Sequence, residues 1–152
     1  MFWNKKNKNQ KLFSDISLER QCMIGSNLNF AASEAYKLLR TNLEFSFTDD
    51  EEQKIIGVTS SLKGEGKSIT TINLAYTLAE AGKKVLLMEC DMRLPNIAKR
   101  LDLKSTKGLS NLLVGKNSAD EVIQEGVLSE TMDVIPAGDI PPNASELLAS
   151  KR

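Results

Sequence analysis

The chain has 152 residues, about the length of one globular domain. Its hydrophobic fraction of 41% and charged fraction of 26% are typical of a soluble globular protein, and its formal net charge of zero gives no argument for nucleic-acid binding. Histidine is absent, which excludes histidine bases, catalytic triads and most zinc sites, while Cys22 and Cys90 match no metal-ligand spacing and indicate reduced thiols in a cytosolic protein.

Residues 1–29 form a predicted polar N-terminal tail that precedes a domain at residues 30–152. Lysines and aromatic residues cluster in it: Phe2, Trp3, Lys5, Lys6, Lys8 and Lys11. The composition favours a solvated, disordered segment, and the alternative is weak attachment to anionic lipid. No apolar run approaches the ~20 residues that cross a bilayer, and the tail lacks the apolar core of a signal peptide.

Residues 30–47 show a helical pattern, with apolar side chains at spacings of three and four and Ser33 as the candidate N-cap. Glu34, Lys37 and Arg40 lie three apart on this helix and therefore share one face. From spacing alone, this face is best interpreted as a solvated charged surface with local ion pairs.

A first predicted strand, residues 54–59, leads into a glycine-bearing turn and then into a helix that begins near Lys67. This order, with Lys-Ser at the helix start, is typical of a phosphate-binding P-loop. Gly64 and Gly66 allow the backbone angles and the close approach of a phosphate. We expect Lys67 to reach the β- and γ-phosphates and the Ser68 hydroxyl to hold Mg²⁺. The predicted nucleotide-binding residues are Ser61, Leu62, Lys63, Gly64, Glu65, Gly66, Lys67, Ser68 and Ile69. The first of them stands where the usual pattern has glycine.

The helix predicted at residues 67–81 is followed by a stop signal at Gly82 and a short apolar run at residues 84–88. Such a run fits a strand that is buried on both faces of a parallel sheet. The order strand, helix, strand implies a right-handed crossover. It predicts an α/β fold with a P-loop and a doubly wound, mostly parallel sheet.

The second predicted strand ends in Glu89, Asp91 and Arg93, at the sheet edge where ligands bind in open α/β folds. We expect these groups to face the phosphates held by Lys67. One carboxylate would hold Mg²⁺, directly or through water, and the other would accept a proton or orient a nucleophile. The alternative is that acidic residues simply end a strand.

The remaining predicted elements are short: helices at residues 95–101, 108–113, 118–124 and 144–150, and a third strand at residues 132–136. About three core strands are few for such a domain, and no second apolar run ending in Asp follows Arg93. We therefore expect an incomplete domain, either because the sequence is truncated or because another chain completes it.

The ordered set of segments resembles the bacterial protein-tyrosine kinases (BY-kinases) of capsule and exopolysaccharide synthesis. The matching residues are 34–42, 59–68, 85–95, 108–110 and 136–148. The resemblance implies a kinase that uses ATP and Mg²⁺ to phosphorylate protein tyrosines, including a tyrosine cluster at its own C-terminus. The family's Walker B segment and that cluster are not in this sequence, whose two tyrosines, Tyr36 and Tyr76, fall in predicted helices.

The resemblance also implies roles for individual residues. Residues 61–68 correspond to Walker A and residues 89–93 to the family's second acidic motif, Walker A′. Asp91 would organise Mg²⁺ together with Ser68, and Glu89 stands where the family has an Asp proposed to activate the tyrosine hydroxyl. The predicted catalytic residues are Lys67, Glu89, Asp91 and Arg93.

The charged face on the first helix is similar to the family's Glu-x-x-Arg-x-x-Arg subunit-contact motif, with Lys37 replacing an Arg. The resemblance thus changes its interpretation to an oligomer interface. It further implies protein tyrosine substrates, a transmembrane polysaccharide co-polymerase as activator, and a cytoplasmic location at the inner face of the membrane through that partner.

Two other functions stay open. The first is a partitioning or cell-division ATPase of the deviant Walker A group, although Leu62 stands where that group has its additional Lys. The second is a non-catalytic interaction fragment that uses the helix at residues 33–47 to join assemblies of a related chain.

Overall fold

The computed structural model describes residues 24–47 and 53–150. After a short 3-10 helix at Gly25–Asn27, the elements in chain order are α1 (Phe30–Ser46), α2 (Lys67–Glu80), β1 (Val85–Met88), α3 (Ile97–Arg100), α4 (Leu109–Leu113), α5 (Ala119–Val122), β2 (Met132–Ile135) and α6 (Ala144–Leu148). Cys22 and the lysine-aromatic cluster lie outside the described residues. The predicted boundary between a tail at residues 1–29 and a domain at residues 30–152 stays a prediction.

The sheet consists of β1 and β2, which pair in parallel with Val85 opposite Met132 and Met88 opposite Ile135. The pairing extends beyond the strand, because the Glu89 N–H donates to the Ile135 carbonyl at 2.9 Å. The other edge of β2 is bridged in antiparallel fashion by Gln124. Helices α3, α4 and α5 occupy the connection between the two parallel strands. The predicted fold class, an incomplete α/β P-loop domain with a parallel sheet, is confirmed.

The prediction of a first strand at residues 54–59 is wrong, because these residues form no strand in the described structure. Ile55 is 96% exposed instead of lying in a core. A strand exists only through backbone hydrogen bonds to a neighbour, and β1 is paired with β2 on one edge only among the described residues. The apolar pattern at residues 54–59 indicates a propensity to form a strand. Whether a neighbouring strand is available to pair with it depends on the tertiary structure, which the pattern does not encode.

The prediction that the 84–88 run is buried on both faces is also wrong. Leu87 is buried, while Leu86 and Met88 are 50% and 41% exposed. Side chains alternate between the two faces of a strand, and α2 covers only the face that carries Leu87. A continuous apolar run therefore has one covered and one open face here.

Two apolar clusters make up the described core. In the first, Ile72, Ala75 and Ala79 of α2 pack with the buried residues of the sheet, Leu87, Met132 and Val134. Each large aliphatic side chain removed from water contributes about 1.5–3 kcal/mol. In the second cluster, Met92 packs with side chains from the connecting helices and from the end of β2: Leu109, Val122, Ile135 and Ala137.

The helix predicted at residues 30–47 is confirmed, but its predicted N-cap is wrong. The cap is Asn29, whose side-chain oxygen accepts the Ala32 N–H at 2.8 Å, and Ser33 already lies within the first turn. Apolar spacing locates the body of a helix, whereas a cap depends on the extended backbone of one residue. The remaining predicted helices and the other two strands are confirmed to within two residues at each end.

Helix α2 ends where the sequence predicts. Gly82 has a φ of 81°, and its N–H donates to the Ala79 carbonyl at 2.9 Å, while the Lys83 N–H donates to the Leu78 carbonyl at 3.2 Å. Glycine is favoured at such a left-handed helix end. Within the described ranges, no helix has the length and apolar character needed to cross a membrane.

A charged cap fixes the start of α5. The Glu121 carboxylate accepts the Ser118 N–H at 2.9 Å and side-chain bonds from Asn117 and Lys107 at 3.0 and 3.2 Å. The Ser118 N–H bond, followed by Lys107 and Asn117, lowers the pKa of Glu121 to about 2. The bond from Lys107 to Glu121 also connects the segment before Gly108 to α5.

This pKa predicts a pH dependence of stability. The folded-state pKa lies below the ordinary value of 4.5, so the contribution of Glu121 is complete above about pH 4.5 and is lost as the pH falls toward about 2. The difference in unfolding free energy between wild type and Glu121→Gln should therefore shrink over that range in urea titrations. Glu125→Gln, which leaves the cap intact, is the matched control. A difference that does not change with pH would contradict the assignment.

Candidate functional site

The turn before α2 adopts the backbone that a phosphate-binding loop requires. Gly64 and Gly66 have φ values of 87° and 95°, in the left-handed region that side chains disfavour. A Cβ at Gly64 would meet nothing within 4 Å, so the space beside the loop is open. The Ser60 hydroxyl donates to the Leu62 carbonyl at 2.9 Å and closes the start of the turn. The two predicted glycine positions thus have the required geometry.

The loop leads directly into the N-terminus of a long helix. Gly66 is the N-cap of the 14-residue α2, and no side chain in the described part of the protein caps this end. Lys67, Ser68 and Ile69, the first residues of α2, are half-buried. The first N–H groups of a helix have no partner within the helix and carry partial positive charge. This end of α2 therefore favours an anion.

A carboxylate already interacts with one N–H of the loop. Glu65 Oε2 accepts the Leu62 N–H at 3.0 Å, and both residues are exposed. A carboxylate oxygen and a phosphate oxygen are alike as hydrogen-bond acceptors of backbone N–H groups. The loop thus holds at least one N–H in a position to bind an anion, which fits a nucleotide phosphate.

Glu89 is buried at the end of β1. Its side chain is 3% exposed, and its Oε1 accepts the N–H groups of Asn96 and Ile97 at 2.6 and 2.9 Å. Its Oε2 accepts the Ala137 N–H at 3.4 Å. The carboxylate thus lies against three backbone N–H groups that belong to the start of α3 and to the segment after β2. Its predicted part in proton transfer stays a prediction.

Asp91 and Arg93 are exposed, and buried Met92 lies between them. Asp91 Oδ1 accepts the Leu94 N–H at 3.1 Å. Arg93 Nη2 donates to the Ser145 hydroxyl of α6 at 3.0 Å. Burial of Met92 in the second cluster turns its two neighbours outward, so the acidic and basic side chains at this sheet edge are available to a ligand.

Two of the predicted site residues carry oxygen donors of the kind that Mg²⁺ accepts. Among residues 24–47 and 53–150, no group of three or more Cys, Asp or Glu side chains converges on one point. Mg²⁺ is commonly bound through one or two carboxylates, substrate phosphates and several waters. The hydroxyl of Ser68 and the carboxylate of Asp91 match that donor set.

The charged face of α1 is divided in the structure. Glu34 and Lys37 form an exposed ion pair at 2.9 Å. Arg40 points to a different neighbour, because its Nη1 donates to the Thr77 carbonyl of α2 at 2.8 Å. That carbonyl lies in the last turn of α2, where the helix dipole favours a cation. Arg40 therefore joins α1 to α2, and the predicted interface role of the three residues stays a prediction.

A second set of residues near this edge was missed from the sequence. Asn111 Oδ1 accepts the N–H groups of Gly108 and Asp139 at 3.0 and 3.3 Å, and its Nδ2 donates to Asp139 Oδ2 at 2.8 Å. The backbones of Gly108 and Gly138 cross within this network, so closely that a Cβ on Gly108 would overlap the Pro136 carbonyl oxygen. Gly108 just before α4 and Gly138 just after β2 were the available sequence signal. Their contact could not be predicted, because they are 30 positions apart in the chain and meet only in the folded structure.

The comparisons with known proteins agree with this geometry. Residues 53–149 match a family described as "AAA domain". The chain is 43% identical over 119 residues to the tyrosine-protein kinase YwqD of Bacillus subtilis, which covers 78% of this chain and 49% of the relative. It is 39% identical over 120 residues to the putative tyrosine-protein kinase CapB of Staphylococcus aureus, with 79% and 52% covered.

The solved kinase domain of the Escherichia coli tyrosine kinase ETK superposes with a TM-score of 0.75 at 33% identity, over 84% of this chain and 49% of that one. The chain spans about half of the length of the curated relatives that it matches.

The close contact of the Gly108 and Gly138 backbones, called the glycine crossing below, predicts different effects for two Gly→Ala variants. Gly108→Ala should lower the unfolding free energy by about 2–3 kcal/mol or more, because backbone atoms cannot move away from the new methyl group. Gly57 has no atom within 4 Å of an added Cβ and no positive φ, so Gly57→Ala should change it by less than about 0.5 kcal/mol. Urea unfolding of both variants measures the difference. Equal stability of the two would contradict the crossing.

Proposed function

Because this chain belongs to the AAA-domain family of the bacterial protein-tyrosine kinases, we propose that it binds ATP with Mg²⁺ and transfers the terminal phosphoryl group to protein tyrosines. The observation that carries the proposal is the junction of the glycine turn and α2. Two left-handed glycines, an uncapped helix start and an N–H that already binds a carboxylate meet there. These are the elements of a phosphate-binding site.

The proposed roles follow from position and charge. Residues 61–69 surround the phosphates, Lys67 neutralises charge on the β- and γ-phosphates, and Ser68 and Asp91 supply oxygen ligands. These two residues would hold Mg²⁺, which would supply positive charge to offset the negative charge of the phosphates. Arg93, at the end of β1, completes the proposed catalytic set. Preorganised donors of this kind contribute about 100- to 1,000-fold each in rate.

We propose tyrosine-bearing proteins as substrates and regulation of capsular or exopolysaccharide synthesis as the process. We also propose a transmembrane polysaccharide co-polymerase as the activating partner, with the kinase at the cytoplasmic face of the membrane. The relatives are named as tyrosine-protein kinases, which supports the substrate class. The partner and the location rest on the family resemblance.

We propose in addition that α1 contributes to self-association through the Glu34–Lys37 pair. The helix has no buried residue, and its exposed apolar side chains include Phe30 and Phe45, at 81% and 85% exposure. The same observation favours the non-catalytic alternative, in which α1 joins assemblies of a related chain without nucleotide chemistry. Nucleotide binding separates the two functions.

The first test is ATP binding in the presence of Mg²⁺, measured by isothermal titration calorimetry. Lys67→Ala should weaken binding by about 100-fold or more, equivalent to about 2.7 kcal/mol, because a charged partner of the phosphates is lost. Lys83→Ala is the matched control, since Lys83 lies just beyond the other end of α2 in an exposed pair with Glu44. If the unsubstituted chain binds no nucleotide, the interaction function alone survives.

The second test is phosphoryl transfer. Incubation with labelled ATP, Mg²⁺ and a tyrosine-rich polypeptide should give phosphotyrosine, and removal of Mg²⁺ with a chelator should stop its formation. Asp91→Asn should reduce the rate by about 100-fold if its carboxylate holds the metal ion. Nucleotide binding without phosphotyrosine would reject kinase activity for this chain alone.

A further inference from the structure

We propose that Glu89 is a positioning residue, which holds the loop carrying Asp91 and Arg93 in place through backbone N–H groups. The loop comprises residues 90–96 and is called the acidic loop below. The inference rests on the proposed function, because it assigns a role within the same site.

The first step is how the Glu89 side chain closes the acidic loop. Its backbone N–H is fixed to β2 through the Ile135 carbonyl, and its Oε1 accepts the N–H groups of Asn96 and Ile97. The residue just before the loop is thus bonded to the end of the loop. Asn96 is the N-cap of α3 and provides no side-chain cap of its own, so the carboxylate takes that place.

The middle of the acidic loop is held separately. Met92 is 1% exposed and packs in the second cluster, while the Leu94 N–H is bonded to Asp91. With both ends joined by Glu89 and the middle buried, few conformations remain for Asp91 and Arg93. Restricting a metal-binding carboxylate in advance lowers the entropy lost on binding.

A third bond extends this support beyond the acidic loop. Glu89 Oε2 accepts the Ala137 N–H at 3.4 Å, and the Ala137 carbonyl accepts the Ser110 N–H at 2.9 Å. Residue 137 precedes Gly138, so the carboxylate is connected to the glycine crossing. One side chain therefore joins the ends of both strands to the start of α3.

The same contacts argue against proton transfer by Glu89. A general base must come within about 2.6–3.2 Å of the proton that it removes. The Glu89 carboxylate is 3% exposed, and both of its oxygens face N–H donors. A substrate hydroxyl would have to displace those donors, leaving buried N–H groups unpaired at about 1–3 kcal/mol each.

The test compares Glu89→Gln with Glu89→Ala. Glutamine keeps an oxygen that can accept the two short bonds from Asn96 and Ile97, but it loses the charge and the ability to accept a proton at neutral pH. Alanine loses every contact. We expect amide exchange at Asn96 and Ile97, followed by NMR without nucleotide, to stay within about 3-fold of wild type in Glu89→Gln and to accelerate at least about 10-fold in Glu89→Ala.

The second readout is the Mg²⁺ concentration that gives half-maximal ATP affinity. It should rise about 10-fold in Glu89→Ala and stay near the wild-type value in Glu89→Gln, because only the first releases Asp91. Thr131→Val is the control for simple destabilisation, since it removes the bond from the Thr131 hydroxyl to the Ala79 carbonyl at 3.1 Å, away from the acidic loop. It should lower stability without moving the Mg²⁺ dependence.

Three results would overturn the proposal. Unchanged amide exchange in Glu89→Ala would show that the carboxylate does not hold the loop. An unchanged Mg²⁺ dependence in that variant would show that holding the loop does not position Asp91. Loss of phosphotyrosine in Glu89→Gln with normal Mg²⁺ dependence would assign proton transfer to Glu89. If wild type binds no ATP, the proposed function fails, while amide exchange still decides whether Glu89 holds the loop.

Discussion

The parallel pairing of β1 with β2 is the constraint on which the described site depends. Parallel strands end at the same edge of a sheet, so Glu89 and Ala137 come close enough to be bonded. Only residues 81–84 separate α2 from β1, so the helix runs back along the strand that follows it. The start of α2, with Lys67, therefore lies toward the strand edge that carries Glu89. The register of four residue pairs thus brings Glu89 to the segment after β2, and the short connection between α2 and β1 places the glycine turn toward the same edge.

Much of this fold could be predicted because its determinants are local. The 3.6-residue pattern of α2, the glycine after it and the short apolar runs of β1 and β2 are properties of neighbouring residues. The failures concern non-local facts. Residues 54–59 have an apolar run without a pairing partner in the described structure, and Leu86 is exposed because nothing packs on its face. Asn29 caps α1 with its side-chain oxygen, which requires an extended backbone at that residue, and no apolar periodicity encodes this.

The candidate site follows the same division. Gly64 and Gly66 were predictable, because a left-handed turn at a helix start demands glycine at those positions. The directions of Glu89 and Arg40 were not, since a carboxylate at a strand end and a guanidinium on a helix face have many neighbours within reach. Arg40 is bonded to a carbonyl of its own chain. The role of Asn111 could not be predicted, because its side chain bonds to the backbone at the glycine crossing, and that crossing forms only in the folded structure.

The open face of β1 has a practical consequence for the behaviour of the chain in solution. Leu86 and Met88 are half-exposed on that face, and Ile55 in the segment before α2 is almost fully exposed. Apolar side chains next to an incompletely paired sheet are the combination that promotes strand addition between molecules. We therefore expect this face to limit the solubility of the chain. The yield on purification should depend on protein concentration and temperature more than on net charge.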